Sequence, residues 1–312
     1  MNLIFCGTPQ FAVPTLEKLI AGQLVPQLVV TNPDEPRGRG HKVQPSPVKE
    51  AAQRHGIEVY QPAKLKVPEV QAFLSKYRPD AIVVVAYGHI VPQWMIDLPR
   101  LGCINLHGSI LPKYRGAAPI AWAIIRGEKE TGVTTMKIDA GMDTGDMLLV
   151  RREPILEDDT TESLGQRLSV MGADLMLETL RKLERGEIIA KPQDPSLATL
   201  APRLKKSDGR IDWTQPAPEL ALRVRGLIPW PGAHTTFRGR NLHIWRAQAI
   251  AASGGAKHAP GTVVTEGGTL AAAAGGGTLL VLEEVQIEGR KRISARDFMN
   301  GARVKPGESL GS

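Results

Sequence analysis

Residues Ala81-Ile82-Val83-Val84-Val85-Ala86 form an unbroken apolar run in which four of six members are β-branched. A strand with one wet face alternates polar and apolar side chains. A run without alternation fits a strand buried on both faces, as in the centre of a parallel sheet covered by helices. The residues around it repeat the theme. Leu3 to Cys6, Leu28 to Thr31, Ile57 to Tyr60, Gly102 to His107 and Val133 to Asp139 read as strands. Between them Phe11 to Ala21, Pro47 to His55, Pro68 to Tyr77 and Ala117 to Ile125 read as helices, and Thr160 to Glu184 as a closing one. This rhythm predicts an α/β domain with a mainly parallel sheet, whose ligands lie beyond the carboxyl ends of the strands.

After Gly186 the pattern changes. Ala190 to Lys206, with Pro192, Pro195 and Pro202, reads as a linker. From Gly209 onward, apart from a short helix at Pro218 to Arg225, brief apolar stretches are punctuated by glycine: Thr235 to Phe237, Leu242 to Trp245, Gly261 to Thr265 and Leu279 to Gln286. They predict a small antiparallel barrel, with Ala271 to Gly277 as a hairpin connection. The expected division is 1–189, a linker over 190–206, and 207–312. Charge separates the two parts. Residues 1–199 hold 23 Lys and Arg against 23 Asp and Glu, whereas residues 200–312 hold 16 against 9. A basic module beside a neutral one suggests an anionic partner such as a nucleic-acid backbone.

Two cysteines, both in apolar runs, exclude a disulfide framework and read as buried thiols. The seven histidines show no metal-ligand spacing, so no metal is expected. The first residues lack the basic and long apolar regions of a signal peptide, and no apolar run approaches the ~20 residues of a bilayer-spanning helix. A cytoplasmic protein, not tied to a membrane, is expected. Nothing in the sequence points to assembly, and a monomer is expected. One connection is long, from Asn32 to Pro47, and its Arg37, Arg39, His41 and Lys42 bracket glycines that allow close approach to a ligand.

The chemistry concentrates in Asn105-Leu-His107, at the end of a predicted strand. Side-chain direction repeats every two residues, so the amide and the imidazole share a face. Alone, such a pair also fits two internally satisfied polar groups. A second loop, Asp139-Ala-Gly-Met-Asp143-Thr-Gly-Asp146, carries three carboxylates without the spacing of an EF-hand, and the phosphate-binding glycine motifs are absent from the chain. Asn, His and Asp with no adjacent nucleophile suit direct acyl transfer to an amine. Two groups can stabilise the developing oxyanion while the carboxylate accepts the amine's proton.

These residues resemble the folate-dependent formyltransferases. The likeness rests on Asn105-x-His107, Ser109-Ile110-Leu111-Pro112, Lys113-Tyr114-Arg115-Gly116 and the Asp143 loop. With Phe5-Cys6-Gly7-Thr8-Pro9, Ala86-Tyr87-Gly88-His89-Ile90, Gly209-Arg210-Ile211-Asp212-Trp213 and Pro229-Trp230-Pro231-Gly232, it extends to the methionyl-tRNA formyltransferase family and to nearly the whole chain. The resemblance implies a Rossmann-like domain followed by an OB-like barrel. It also implies 10-formyltetrahydrofolate as donor and initiator Met-tRNA as acceptor. Asn105, His107 and Asp143 would be catalytic. Ser109, Ile110, Leu111, Pro112, Tyr87, Gly88, His89, Ile90 and Asp139 would frame the tetrahydrofolate, and Arg37, Arg39, Lys42, Lys205 and Lys206 would meet the tRNA. Ile228 stands where the family often has asparagine. A relative acting on a sugar nucleotide would share the three polar groups but would not require the basic last third.

Overall fold

The computed structural model describes residues 1–37, 42–251, 258–266 and 268–311. The chain forms two compact units, the first built from Met1–Pro119, Glu130–Pro154 and Gly165–Ala201. Its strands are β1 (Leu3–Gly7), β2 (Leu28–Val30), β3 (Glu35–Arg37), β4 (Lys42–Gln44), β5 (Glu58–Tyr60), β6 (Ala81–Val85), β7 (Cys103–His107), β8 (Glu130–Lys137) and β9 (Met147–Pro154). Seven of them make one sheet in the order β5-β2-β1-β6-β7-β8-β9. The first five run parallel, and β8 and β9 run antiparallel to their neighbours.

The all-apolar run occupies a central strand, and every residue of β1 and β6 is buried. On one face Ile4, Cys6, Leu28, Val30, Ile82, Val84 and Cys103 pack with Val70 and Leu74 of helix α3 (Pro68–Ser75) and Met95 of the short helix α4 (Gln93–Ile96). Helix α6 (Thr161–Glu184) meets the other face, where a Cβ on Gly172 would stand 2.6 Å from Leu106 Cδ2. Helices α1 (Val13–Ala21) and α2 (Pro47–Arg54) complete the cover. Ser46 accepts from Lys49 N at 3.0 Å as the cap of α2, with proline in its first turn.

Three local features add to the sequence reading. Within the connection after β2, β3 and β4 pair as a small hairpin whose ends are Arg37 and Lys42. Arg39 lies outside the described residues. The segment after α6 is hydrogen-bonded into this unit: Lys191 bridges Met147, and Thr199 and Ala201 bond Arg115. Finally, β8 runs against β7, with Lys137 beside Ile104 and Thr134 beside His107. The acidic loop after β8 therefore leaves from the amino-terminal half of β7 and reaches the imidazole by crossing the sheet face, where Ile138 packs on the apolar cluster.

The second unit comprises Ile120–Lys129, Ile155–Leu164 and Pro202–Ser312. In it, helix α7 (Ala217–Gly226) packs on the end of α5 (Pro119–Ile125), and Arg225 donates to the carbonyls of Leu156 and Asp159 at 3.1 and 2.9 Å. Its antiparallel sheet has the order β10-β11-β14-β13-β12. The strands are β10 (Ala233–Phe237), β11 (Arg240–Ala251), β12 (Val263–Glu266), β13 (Thr269–Ala274) and β14 (Thr278–Ile287), with β15 (Ile293–Ser294) beside β14 and helix α8 (Ala295–Ala302) after it. The alanine run is a strand rather than a connection, since Leu270 to Ala274 are all buried and small side chains suit a crowded interior. The chain's end links the two outer strands: Leu310 bridges Phe237 of β10 and Ser309 bridges Thr262 beside β12. That stitch rolls the sheet towards a barrel.

Gly132 lies in β8 where a Cβ would stand 2.0 Å from the carbonyl oxygen of Arg151. Gly132→Ala must open the β8–β9 ladder, and it is expected to cost about 1–3 kcal/mol and to lower the melting temperature by roughly 3–10 °C. Thermal denaturation checks this, and an unshifted transition would mean that the ladder relaxes freely.

Candidate active site

Cys103, Asn105 and His107 alternate along β7 and so share one face. Cys103 is buried beneath α4, its thiol donating to the Met95 carbonyl at 3.2 Å. Burial pushes that thiol up to about 12, and pushes Cys6 up as well, so both stay neutral. Where the helices stop covering the face, the same row turns polar.

His107 is buried, with Nε2 2.9 Å from the carbonyl of Tyr114. A carbonyl only accepts, so Nε2 carries a proton. Nδ1 stands 3.6 Å from Asp143 Oδ2, too far for a good hydrogen bond but placed so that one N–H can join them. That proton comes either from the imidazole itself or from a bound donor.

The loop after β7 is shaped by buried hydroxyls. Ser109 donates to the Lys113 carbonyl at 2.6 Å. Thr134 of β8, fully buried, donates to the Ser109 carbonyl at 2.7 Å and accepts from Leu111 N at 3.2 Å. Tyr114 has φ 63° and Gly116 φ 119°, left-handed positions that turn the Tyr114 carbonyl to His107 and the Gly116 amide to Asp143 Oδ2 at 2.8 Å. Gly116 also needs the absence of a side chain, because a Cβ would lie 2.7 Å from the Ala201 carbonyl oxygen. Thr199 fixes this stretch, its hydroxyl accepting from Tyr114 N and its carbonyl from Arg115 N.

In the acidic loop Asp139 accepts from Gly141 N at 3.0 Å and from the Thr144 hydroxyl at 2.7 Å, so its carboxylate caps its own turn. Asp143 has φ 54°. Gln193 is buried; it donates to the carbonyls of Asp143 and Gly145, both at 2.8 Å, and accepts from Arg115. Among the described residues no group of three His, Cys, Asp or Glu side chains converges as metal ligands do.

The turn after β6 stands at the same end of the sheet. Ala86 (φ 47°) and Gly88 (φ 86°) reverse the chain around Tyr87, whose carbonyl accepts from the Thr8 hydroxyl at 3.4 Å. Burial keeps the Tyr87 phenol protonated, and the His89 ring rests 5.0 Å from its ring centre. Ile90 is 81% exposed.

The structure thus brings His107 and Asp143 together, with Asn105 on the His107 face. Ser109 and Leu111 point into the protein, leaving Ile110, Pro112 and backbone to face outward. Lys205 and Lys206 are exposed on the second unit, at a turn where Lys205 N donates to Asp208 Oδ2 at 2.6 Å. Sequence reasoning missed Thr134, Gln193 and Thr199. Thr134 was legible as an inward residue of β8, but Gln193 and Thr199 lay in a proline-rich stretch without periodicity. The Arg115 guanidinium, which the sequence leaves open between tRNA contact and loop support, holds the Gln193 amide.

The fold is that of a group-transfer enzyme of the formyltransferase class. The formyl transferase family model matches residues 1–180, and that of the formyl transferase C-terminal domain matches residues 203–303. The methionyl-tRNA formyltransferase of Koribacter versatilis is 55% identical over 312 residues, spanning 100% of this chain and 99% of that protein. The one from Solibacter usitatus is 54% identical over 311 residues, spanning 100% of this chain and 99% of that protein. In structure the chain resembles an N-formyltransferase of Helicobacter canadensis solved with folinic acid and dTDP-3-aminofucose, with a TM-score of 0.65, 17% identity, and 90% of this chain and 98% of that one covered. The chain belongs to the methionyl-tRNA formyltransferase family.

Thr134→Val keeps the shape of the side chain and removes its hydroxyl. The Ser109 carbonyl and Leu111 amide would then be buried without this partner, at a cost of about 2–4 kcal/mol. Urea unfolding is expected to show the loss, together with weaker binding of any ligand seated on the 109–112 turn.

Proposed function

We propose that this enzyme transfers the formyl group of 10-formyltetrahydrofolate to the α-amino group of methionine on initiator tRNA. The observation that carries the chemistry is the pairing of His107 and Asp143 across 3.6 Å on the face that Asn105 also shares. The amine nitrogen attacks the formyl carbon, and a tetrahedral oxyanion forms. The Asn105 amide and a protonated His107, through its Nδ1–H, donate to that oxygen. Asp143 accepts the proton that the amine loses, directly or through water, as the new C–N bond forms. Collapse breaks the bond to N10 of the folate, and N10 takes up the proton that Asp143 accepted, directly or through water.

Transfer is direct. The neighbouring hydroxyl, Ser109, is fully buried and already donates to a carbonyl, and both thiols are buried and neutral. The pterin lies against Tyr87 to Ile90, Ser109 to Pro112 and Asp139, largely through backbone groups, with Ile90 as apolar cover. Residues 1–189 carry the catalytic side chains, the connecting segment 190–206 supports them through Gln193 and Thr199, and 207–312 hold tRNA together with Arg37, Arg39 and Lys42. The enzyme acts as a cytoplasmic monomer and needs no metal.

The direct test incubates the protein with 10-formyltetrahydrofolate and charged initiator tRNA and looks for formyl-methionine. Formylation of a dTDP-amino sugar in its place would redirect the reading. Asn105→Ala or His107→Ala is expected to lower turnover at least ~100-fold, the scale of one oxyanion donor, with tRNA affinity nearly unchanged. Lys205→Ala with Lys206→Ala is expected to weaken tRNA binding and reduce the slope of log affinity against log salt by about two, one for each phosphate left without its lysine. An unchanged slope would remove this turn from the tRNA surface.

A further inference from the structure

We infer that Gln193 is the positioning residue that holds the Asp143 carboxylate against His107, an inference that rests on the formyl-transfer reading. Its amide spans the two loops that must agree for the site to exist. Oε1 accepts from Arg115 Nε at 3.0 Å and Nη2 at 2.7 Å. Nε2 donates to the Asp143 carbonyl and to the Gly145 carbonyl, each at 2.8 Å. Two donors and two accepting lone pairs are all in use, which is the full capacity of a primary amide.

Both ends of this bridge bear on the reaction. Arg115 follows Tyr114, whose carbonyl fixes the imidazole, and Arg115 is tied at its own backbone to Thr199 and Ala201. Asp143 stands at φ 54°, a conformation that a non-glycine residue keeps only when its surroundings over-determine it. One of the two carbonyls that Gln193 grips is that residue's own, and the other lies two residues on. Gln193 touches neither donor nor acceptor in this reading and acts through Asp143. Only an amide fits: a carboxylate would accept from Arg115 but face the carbonyls with lone pairs, and an ammonium would do the reverse.

The test compares full-length wild type, Gln193→Glu and Gln193→Leu for kcat and KM of both substrates across pH, with melting temperature as a check on folding. Both variants are expected to lose about 10–100-fold in kcat, the scale of a small misplacement of a reacting group, with KM changed by less than about threefold. In Q193E the introduced carboxyl can donate to one carbonyl when protonated. Its kcat relative to wild type is therefore expected to rise as pH falls, while the deficit of Q193L stays flat. A crystal structure of Q193L is expected to show the Asp143 carboxylate displaced from His107 by about 1 Å or more.

Wild-type kcat in both folded variants, or a loss confined to KM or to melting temperature, would overturn the inference. An Asp143 loop unmoved in Q193L would do so as well. If the wild-type protein itself makes no formyl-methionine, the functional reading fails, and the position of Asp143 in Q193L still decides whether Gln193 sets it.

Discussion

The hydrogen bond from His107 Nε2 to the carbonyl of Tyr114, at 2.9 Å, decides what the rest of the site can do. It places a proton on Nε2 and turns Nδ1 towards Asp143. It is not a local accident of two neighbours. The carbonyl points inward because Tyr114 is left-handed, a conformation of order 1–3 kcal/mol above the ordinary ones. Thr199, Ser109 and Thr134 supply the hydrogen bonds that hold it there. Among the described non-glycine residues with positive φ, Ala86, Tyr114 and Asp143 stand on the loops that build the site, while Gln23, Arg78, Arg238 and Arg303 lie elsewhere, Arg303 ending helix α8.

The scaffold explains why the strain is tolerated. β7 lies between β6 and β8, and its alternation sends Ile104 and Leu106 to one face and Cys103, Asn105 and His107 to the other. The second face is apolar only as far as α3 and α4 reach. Beyond them the same alternation continues with polar side chains, so the site is the uncovered end of a core face, and the core's rigidity passes into it. A buried imidazole at that boundary has one nitrogen satisfied by protein and one left for chemistry.

Much of this was legible in the amino-acid sequence. The unbroken run at Ala81 announced a central strand, Asn105-x-His107 announced a shared face, and the charge asymmetry marked a second unit of different character. What was hidden had no periodic signature. The direction of β8 is set by pairing with β7, since the same apolar stretch serves a parallel or an antiparallel neighbour. The alanine run of β13 resembled low complexity because small side chains hide the period that burial would otherwise reveal. Gln193 and Thr199 act through backbone groups of distant loops, and such contacts leave no spacing to read.

The acidic loop shows how a suggestive composition can mislead. Three carboxylates and two glycines in eight residues look like a cation site, yet both glycines and two of the carboxylates have nearer causes. Gly141 is required because a Cβ would stand 2.0 Å from the Thr144 hydroxyl, the group that bonds Asp139. Gly145 is required because a Cβ would stand 1.8 Å from the Lys137 carbonyl oxygen, where the loop closes on its own strand. Asp139 is occupied in capping the turn, whereas Asp143 is presented to the imidazole and to the Gly116 amide. The glycines let the backbone fold tightly enough for one carboxylate to cross the sheet face, and they do so from a strand that runs the opposite way to β7.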